Sequence, residues 1–349
     1  MKEAIRFAIA GYGRVGERHA EIIKRSPGAT LVAACDINPE KESCANGLPF
    51  YLSIPALLSA EKNIDIVSIA TPNGLHTTHA LEVLNAGKHV IIEKPMGLTK
   101  ADCEQVRQKS LEMNRQVFCI MQNRYSPPCV WIKSVVESGR LGDIYMVRID
   151  CFWNRDTRYY KKGDWKGTTA LDGGTLFTQF SHFIDIMYWL FGDIYDIQAN
   201  FFDFNHQQTT EFEDSGIVNF RFCRGGAGII NYSTSVWDKN FESALTIIAE
   251  NGTVKIGGQY MNEILYCHIK NYSLPEMAVG NPSNDYGIYN GSAANHGLVF
   301  ENVISVLNGE ATITANALDG LAVTGIIENI YKLRQNVSTE RKGFNVPVY

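Results

Sequence analysis

The chain has 349 residues, with 32 Lys and Arg against 37 Asp and Glu and a formal net charge of -5, and that length suffices for two domains with full hydrophobic cores. Hydrophobic residues make up 45% and charged residues 20%, as in an ordinary globular protein, and the absence of a long basic run excludes the concentrated Lys/Arg footprint of nucleic-acid binding. A membrane role is not expected either: the N-terminal MKEAIRFAIAGYG turns into glycines after a short apolar run, with no small-residue cleavage site and too little length to span a bilayer, so the expected location is the cytoplasm.

IRFAIAGYGRVGERHAEIIKRSPGATLVAACD reads as a strand, a glycine turn, an amphipathic helix from about Val15 and a second strand, LVAACD. Gly11, Gly13 and Gly16 form G-x-G-x-x-G in that β-α-β setting. The first permits the tight turn, the second lets a pyrophosphate approach, and the third packs helix on strand. The helix start, Arg14 and Val15, offers N–H groups and positive dipole to phosphates. Asp36 ends the second strand, 20 residues after Gly16. A carboxylate there accepts hydrogen bonds from both ribose hydroxyls and repels a 2'-phosphate, so the expected cofactor is NAD rather than NADP.

The alternation continues as a doubly wound parallel sheet. IDIVSIA is a strand, TPNGLHTTHALEVLNAGK a loop and helix ending at Gly87, HVIIEKP a strand, TKADCEQVRQKSLEMNRQ a helix, and QVFCIMQNRY the next strand. Ligands in such folds sit outside the carboxyl ends of strands, which gathers Thr71, Pro72 and Asn73, then Glu93 and Lys94, then Gln122 and Arg124, around one crevice. His76, just after the first of these segments, belongs near the cofactor, and His79 reads as an ordinary helix residue. Pro95 biases Lys94 toward extended geometry, so its ammonium is aimed.

Beyond residue 122 the runs DIYMVRIDCFW, DIQANFFDF, DSGIVNFRF, GAGIINYSTS, SALTIIAE and GTVKIGG are short, β-branched or aromatic, and bounded by turn residues, as a large open, mostly antiparallel sheet requires. SAANHGLVFENVISVLNGE and ANALDGLAVTGIIENIYKLRQN read as two helices, and PEMAVGNPSNDYGIYNGS is the clearest irregular stretch. The expected fold class is therefore α/β: a Rossmann domain over residues 1–122 and a substrate and assembly domain over 123–349, whose last helices, about 292–336, pack back toward the first. Between the first two strands of the second domain lies LDGGTLFTQFSHFIDIMYWLFG. As a regular helix it places Thr178, His182, Asp185 and Trp189 on one face, with Gln179 adjoining and Leu176, Phe180, Phe183, Ile184, Met187 and Leu190 over most of the remainder. A helix apolar nearly all round is buried, and its polar groups must be paired or must meet a ligand.

The segments G-Y-G-R-V-G, A-T-P-N-G-L-H, E-K-P-M and Q-N-R-Y, followed by G-G-x-L-x-x-x-x-x-H-x-x-D, stand in the order and spacing of the glucose-fructose oxidoreductase / inositol dehydrogenase / MocA family, which the chain resembles over most of its length. The resemblance implies that Lys94 and His182 meet at the reacting carbon of a sugar beside the nicotinamide and carry catalysis. It also implies a homodimer or homotetramer joined through the open sheet face. One departure is Thr178, where relatives carry Asp or Asn four residues before the histidine; threonine can bond a hydroxyl but cannot serve as a base. Phe180 replaces a glycine of many relatives, which suggests a bulkier pocket floor. Asp185 either orients the imidazole or caps a buried contact.

In FWNRDTRYYKKGDWKGTTALDGG, cations and aromatics concentrate in front of the helix, and Arg155, Tyr160, Trp165 and Lys166 form a lip suited to an anionic sugar or, equally, a charged surface loop. Its W-N-R, Y-Y and W-K-G pattern resembles the UDP-N-acetylglucosaminuronate 3-dehydrogenase subset. His296 can face substrate or cap a helix. The eight cysteines, at 35, 44, 103, 119, 129, 151, 223 and 267, show no metal-ligand spacing and read as reduced thiols, so no metal is expected. The substrate set is thus Lys94, Arg124, Arg155, Tyr160, Trp165, Lys166, Thr178, Gln179 and His182. The leading expectation is hydride transfer between NAD and a secondary hydroxyl of a sugar nucleotide or uronate. Other readings on the same fold are an inositol, polyol or free-sugar dehydrogenase, a glycosidase using transient oxidation, and a sensor without catalysis.

Overall fold

The computed structural model describes residues 3–334. β1 (Ile5–Ala10), α1 (Arg14–Arg25) and β2 (Ala29–Cys35) form the first β-α-β unit, and β1 pairs in parallel with β2. The short β3 (Phe50–Tyr51) and α2 (Ile54–Ala60), whose start Ser53 caps by accepting from Ala56 N–H, lead into β4 (Ile66–Ile69). α3 (His76–Asn85), β5 (His89–Ile92), α4 (Lys100–Glu112) and β6 (Val117–Cys119) complete a six-stranded sheet in the order β3-β2-β1-β4-β5-β6. Helices cover both faces, which is why β4 is buried at every residue and its sequence does not alternate. Thr99 caps α4 by accepting from Asp102 N–H at 3.1 Å.

The expected strand over QVFCIMQNRY is shorter than read: it ends at Cys119, and Gln122–Tyr125 coil into a 3-10 turn. α5 (Pro127–Glu137) follows, started by prolines in its first turn and not anticipated from the sequence. β7 (Ile144–Phe152) opens the second sheet, and α6 (Ser181–Phe191) returns the chain to it. β8 (Ile194–Phe202), β9 (Ser215–Phe222), β10 (Ala227–Ser233), β11 (Glu242–Ala249), β12 (Gly252–Gly257) and β13 (Glu263–Ile269) complete seven strands in the order β13-β12-β11-β7-β10-β9-β8. Its pairings are antiparallel except β10 on β7.

Trp153, Phe180, Phe183 and Tyr232 fill the space between the α6 region and the inner face of this sheet, with ring centroids 5.5–6.0 Å apart for the Trp153–Phe180, Trp153–Phe183 and Phe180–Tyr232 pairs. Phe180 is therefore core packing against the sheet rather than a pocket floor. On the outer face the alternating residues Met146, Ile217 and Ile248 stay exposed. Part of the stretch read as irregular is a hairpin, β14 (Ser283–Asp285) and β15 (Asn290–Ala293). α7 (His296–Leu307) lies against α1, where Phe300 packs on Phe7 at 6.0 Å and on His19 at 5.1 Å. α8 (Ala317–Tyr331) begins with an Asn316/Asp319 capping box and meets the first layer where Thr324 Oγ1 donates to Gly97 O at 3.3 Å. Residues 335 and 336 of the expected last helix lie outside the described residues. No helix among the described residues is long and apolar enough to cross a membrane.

Candidate active site

At the carboxyl end of the parallel sheet, Gly11 adopts φ +88°, and a Cβ there would stand 2.6 Å from Ala70 O. Only glycine combines that conformation with so close a neighbour. In front of Gly13 the space is open, with no heavy atom within 4 Å of a built Cβ. α1 starts behind it with no side-chain cap, so the N–H groups near Arg14 and Val15 are free to face an anion. A Cβ on Gly16 would collide with Gly11 O. Asp36 is anchored by two backbone donors, Tyr12 N–H to Oδ2 at 2.7 Å and Asn38 N–H to Oδ1 at 2.9 Å. An open glycine, an uncapped helix start and a fixed carboxylate form a donor and acceptor set that fits NAD.

His76 is buried and bridges two carbonyls, Pro95 O at 2.7 Å from Nδ1 and Thr71 O at 2.8 Å from Nε2. It shapes the crevice by tying the turn after β4 to the segment after β5. His79, expected to be an ordinary helix residue, meets Thr71 Oγ1 at 3.0 Å and orients it. Pro72 starts the short 3-10 turn whose first residue is Asn73.

Glu93 is enclosed by His19, which the sequence reading missed, and by His296. Its Oε1 lies 3.1 Å from His19 Nε2 and 3.4 Å from His296 Nε2, while Oε2 accepts Lys94 N–H at 3.1 Å. His19 Nδ1 meets Ser68 Oγ at 3.0 Å. Burial alone would raise the Glu93 carboxyl, but hydrogen bonds from His19 and His296 outweigh it and hold the group well below the usual range. The sequence signal for His19 is a histidine on the inward face of α1, three residues after Gly16, where a buried polar side chain needs a partner. His296 thus joins α7 to Glu93 instead of capping its helix.

Lys94 follows β5 across a cis peptide bond to Pro95, and its Nζ donates to Thr178 O at 2.5 Å. Burial, reinforced by the Arg155 charge and opposed by Glu93 and Asp172, lowers its pKa to about 8. Opposite lies His182, 2% exposed, whose Nδ1 has no partner among the described residues. Burial and the neighbouring Lys94 push it well below the usual histidine range, so the ring is neutral. The helix carrying it is not regular: Leu176–Phe180 form a wide π turn before α6 begins at Ser181. π turns recur at functional sites, and this one alters the phase between Thr178 and His182.

Thr178, expected to meet a substrate hydroxyl, has its own hydroxyl engaged by Asp172 Oδ1 and by Asn73 Nδ2 at 2.7 Å. Asn73, expected at the cofactor, also donates to Asp172 O at 2.8 Å and is buried. Asp172 went unremarked in the sequence because nothing local marks it.

The lip divides. Arg155 is 1% exposed, with Nε donating to Gln179 Oε1 at 2.6 Å, Nη1 to Asn240 Oδ1 at 3.1 Å and Nη2 to Asn290 O at 3.1 Å. Its guanidinium lies over Trp153, Tyr159 and Tyr289, and no carboxylate partners it among the described residues. Lys166 stands 4.6 Å over the Tyr159 ring beside the half-buried Trp165. Tyr160 is a wall residue, packed on Tyr159, His206 and Phe212. Gln122 roots the hairpin by donating to Ala293 O at 3.2 Å. From there the hairpin reaches across the mouth to α1, where Arg18 Nη1 meets Tyr286 OH at 2.9 Å.

Arg124 requires correction, and Asp185 takes the second of its two expected roles, a buried contact. Both are buried, and they bind each other: Arg124 Nε to Asp185 Oδ2 at 2.9 Å and Nη2 to Oδ1 at 2.6 Å. Arg124 Nη2 also reaches Asp319 Oδ1 at 3.1 Å, and Nη1 reaches Thr314 O at 2.8 Å. Neither residue is left for substrate or for the imidazole.

A family model described as an oxidoreductase family with an NAD-binding Rossmann fold matches residues 5–120, and one described as the GFO/IDH/MocA C-terminal domain matches residues 130–255. The WlbA dehydrogenase from Bordetella pertussis, solved in complex with NADH and UDP-GlcNAcA, is 31% identical with a TM-score of 0.83 over 95% of this chain and 96% of that one. Inositol 2-dehydrogenase of Salmonella typhimurium is 27% identical over 226 residues, 61% of this chain and 62% of that protein. A 1-carboxy-3-chloro-3,4-dihydroxycyclohexa-1,5-diene dehydrogenase of Comamonas testosteroni is 26% identical over 238 residues, 66% of this chain and 58% of that protein. The chain thus spans about three fifths of the length of these two curated relatives.

Proposed function

Because the chain belongs to the GFO/IDH/MocA oxidoreductase family, we propose that it is an NAD-dependent dehydrogenase acting on a secondary hydroxyl of a sugar, and that the sugar is a nucleotide-linked uronate. The observation that carries this reading is Lys94: an amine with a pKa of about 8, held on Thr178 O at the carboxyl end of the sheet and facing a neutral histidine with an unengaged ring nitrogen. NAD, held by Gly11, Gly13, Gly16, the start of α1 and Asp36, supplies the hydride acceptor when bound. Lys94 in its neutral form takes the hydroxyl proton onto Nζ as the carbon loses its hydride, and returns it in the reverse direction. His182 fixes the hydroxyl through its free nitrogen. Arg155, with no carboxylate ion pair among the described residues, and Lys166, which faces Asp164 and Asp172, add positive charge at the lip, which suits an anionic substrate, and the WlbA relative was solved with UDP-GlcNAcA.

Absorbance at 340 nm, after addition of NAD with UDP-N-acetylglucosaminuronate, other UDP-sugars, inositols or free hexoses, tests the assignment. Growth of the band with the uronate above all others is the expected result. Turnover confined to inositol, or sugar release from glycosides without net NADH, would replace it.

We further propose two working units, a cofactor unit over 1–122 and a substrate and assembly unit over 123–349, and a homodimer or homotetramer joined through the outer face of the second sheet. Exposed Met146 and Ile248 are cross-strand partners there, and exposed Ile217 lies on the same sheet two strands from β7, level with Asp150. Apolar side chains clustered on one open face favour self-association. Light scattering at micromolar concentration should give a dimer or tetramer, and Ile248→Asp with Met146→Asp should give monomer; a monomeric wild type would end the proposal. All eight cysteines are unpaired thiols, in keeping with a reducing cytoplasm, which fractionation of producing cells would check.

A further inference from the structure

We infer that Asp172 is the carboxylate partner of Lys94, a positioning residue that acts through Thr178 to hold the ammonium in place and to govern how readily it gives up its proton. This rests on the reading of Lys94 as the proton acceptor. Asp172 is fully buried in the loop before α6. Its Oδ2 accepts Gly167 N–H at 2.8 Å, and its Oδ1 accepts the Thr178 hydroxyl. Asn73 Nδ2 completes that hydroxyl at 2.7 Å, and the carbonyl of the same threonine accepts Lys94 Nζ at 2.5 Å. One residue therefore couples the acid to the amine, by its side chain on one side and its peptide on the other.

The backbone is built for this. Gly174 takes φ +130°, and a Cβ there would stand 2.6 Å from Tyr331 OH. The chain can double back at this point only without a side chain, and doubling back is what lays residue 172 against residue 178. Where related sequences place an acid or amide four residues before the histidine, this chain places the acid six residues earlier and a hydroxyl between. The threonine that weakened a lysine and carboxylate pair in the sequence is the link that forms one in the fold.

The electrostatics agree. Burial raises the Asp172 carboxyl to about 6, with the Thr178 and Gly167 hydrogen bonds pulling the other way, so it is anionic at neutral pH. A buried carboxylate needs a counter-charge, and Lys94 and Lys166 are the cations that face it, along with Tyr159 and Tyr160. Lys94 in turn faces Glu93, Arg155 and His182. Asp172→Asn removes one of the two negative charges that favour the ammonium while keeping the shape, so Lys94 should lose its proton at lower pH.

Two readouts separate this inference from the proposed function. In carbon-13 lysine-labelled protein with NAD bound, the Lys94 titration midpoint should fall by about one pH unit in Asp172→Asn. The rising limb of kcat/KM for oxidation of UDP-N-acetylglucosaminuronate should fall by the same amount, with kcat reduced more than KM is raised. Thr178→Val, which deletes the hydroxyl at constant shape, should shift the midpoint in the same direction and serves if Asp172→Asn does not fold. Unmoved midpoints in both variants would make Asp172 a loop anchor and end the inference. A wild type inert toward every sugar would instead end the proposed function, and the midpoint would still decide the pair.

Discussion

Lys94→Met should abolish turnover and leave NAD binding intact. Methionine keeps the length and unbranched stem of lysine but has no proton to exchange, and no other amine or imidazole in the crevice can take its place. His182 meets the hydroxyl, but burial holds its ring well below the usual histidine range and makes it a poor proton acceptor, and Lys166 sits over the Tyr159 ring at the lip. Loss of a positioned general acid–base group costs about 10²- to 10⁴-fold. The upper end is expected here, because methionine also leaves Asp172 and Glu93 without the charge they face. The groups that hold the cofactor lie at β1, α1 and β2, so calorimetric affinity for NAD should stay within about threefold, well below the tenfold that 1.4 kcal/mol represents. Activity above a tenth of wild type, at any pH between 6 and 10, would remove Lys94 from the chemistry. Below the lysine midpoint the wild type itself slows, since only the neutral amine accepts a proton, and this limb near pH 8 should be missing from whatever residual rate the variant retains.

Much of the fold and part of the site were legible in the sequence, for reasons that differ by element. In the first layer each feature is local: Gly11, Gly13 and Gly16 are tied to one turn, and β4 and β5 are apolar runs between breakers. The strands of the second sheet announce themselves by β-branched and aromatic runs. β13, EILYCHI, does so only weakly, because it is an edge strand exposed on much of its length. The β14–β15 hairpin is too short for any period to register, and its place is set by Asn284 and Gln122 holding the β15 backbone. At the site, Lys94 and His182 could be found because their flanking residues are distinctive. Thr178 was placed by assuming 3.6 residues per turn through a segment that winds as a π turn. His19, Asp172 and the partner of Asp185 depend on residues 74, 99 and 61 positions away in sequence, which no local pattern encodes.

The Arg124 pair shows what such a distant partner is worth. Arg124→Met should lower the unfolding free energy by about 3–5 kcal/mol, the usual result of removing one member of a buried ion pair, against a typical total of about 5–15 kcal/mol. The reason is the residue left behind. Asp185 lies in α6 with no exposure, and burial already raises its carboxyl above the ordinary range even with Arg124 in contact. Without the guanidinium that shift grows, and the sign of the pH dependence follows. A carboxyl whose folded pKa exceeds its unfolded value stabilises the protonated protein most, and that stability is lost as pH rises from the unfolded pKa through the folded one. The deficit of Arg124→Met relative to wild type should therefore be small at acid pH and largest at neutral pH, as read by urea midpoints across that range. Arg124→Lys should recover little, because an ammonium cannot reach Asp185 in two places while also bonding Asp319 and Thr314 O. Arg124→Met with Asp185→Leu should recover most of the loss, since replacing both charges by apolar groups removes the stranded carboxylate. In that double variant KM for the sugar should match wild type, because neither side chain faces the crevice. A raised KM with unchanged stability would instead return Arg124 to the substrate, where the sequence alone had placed it.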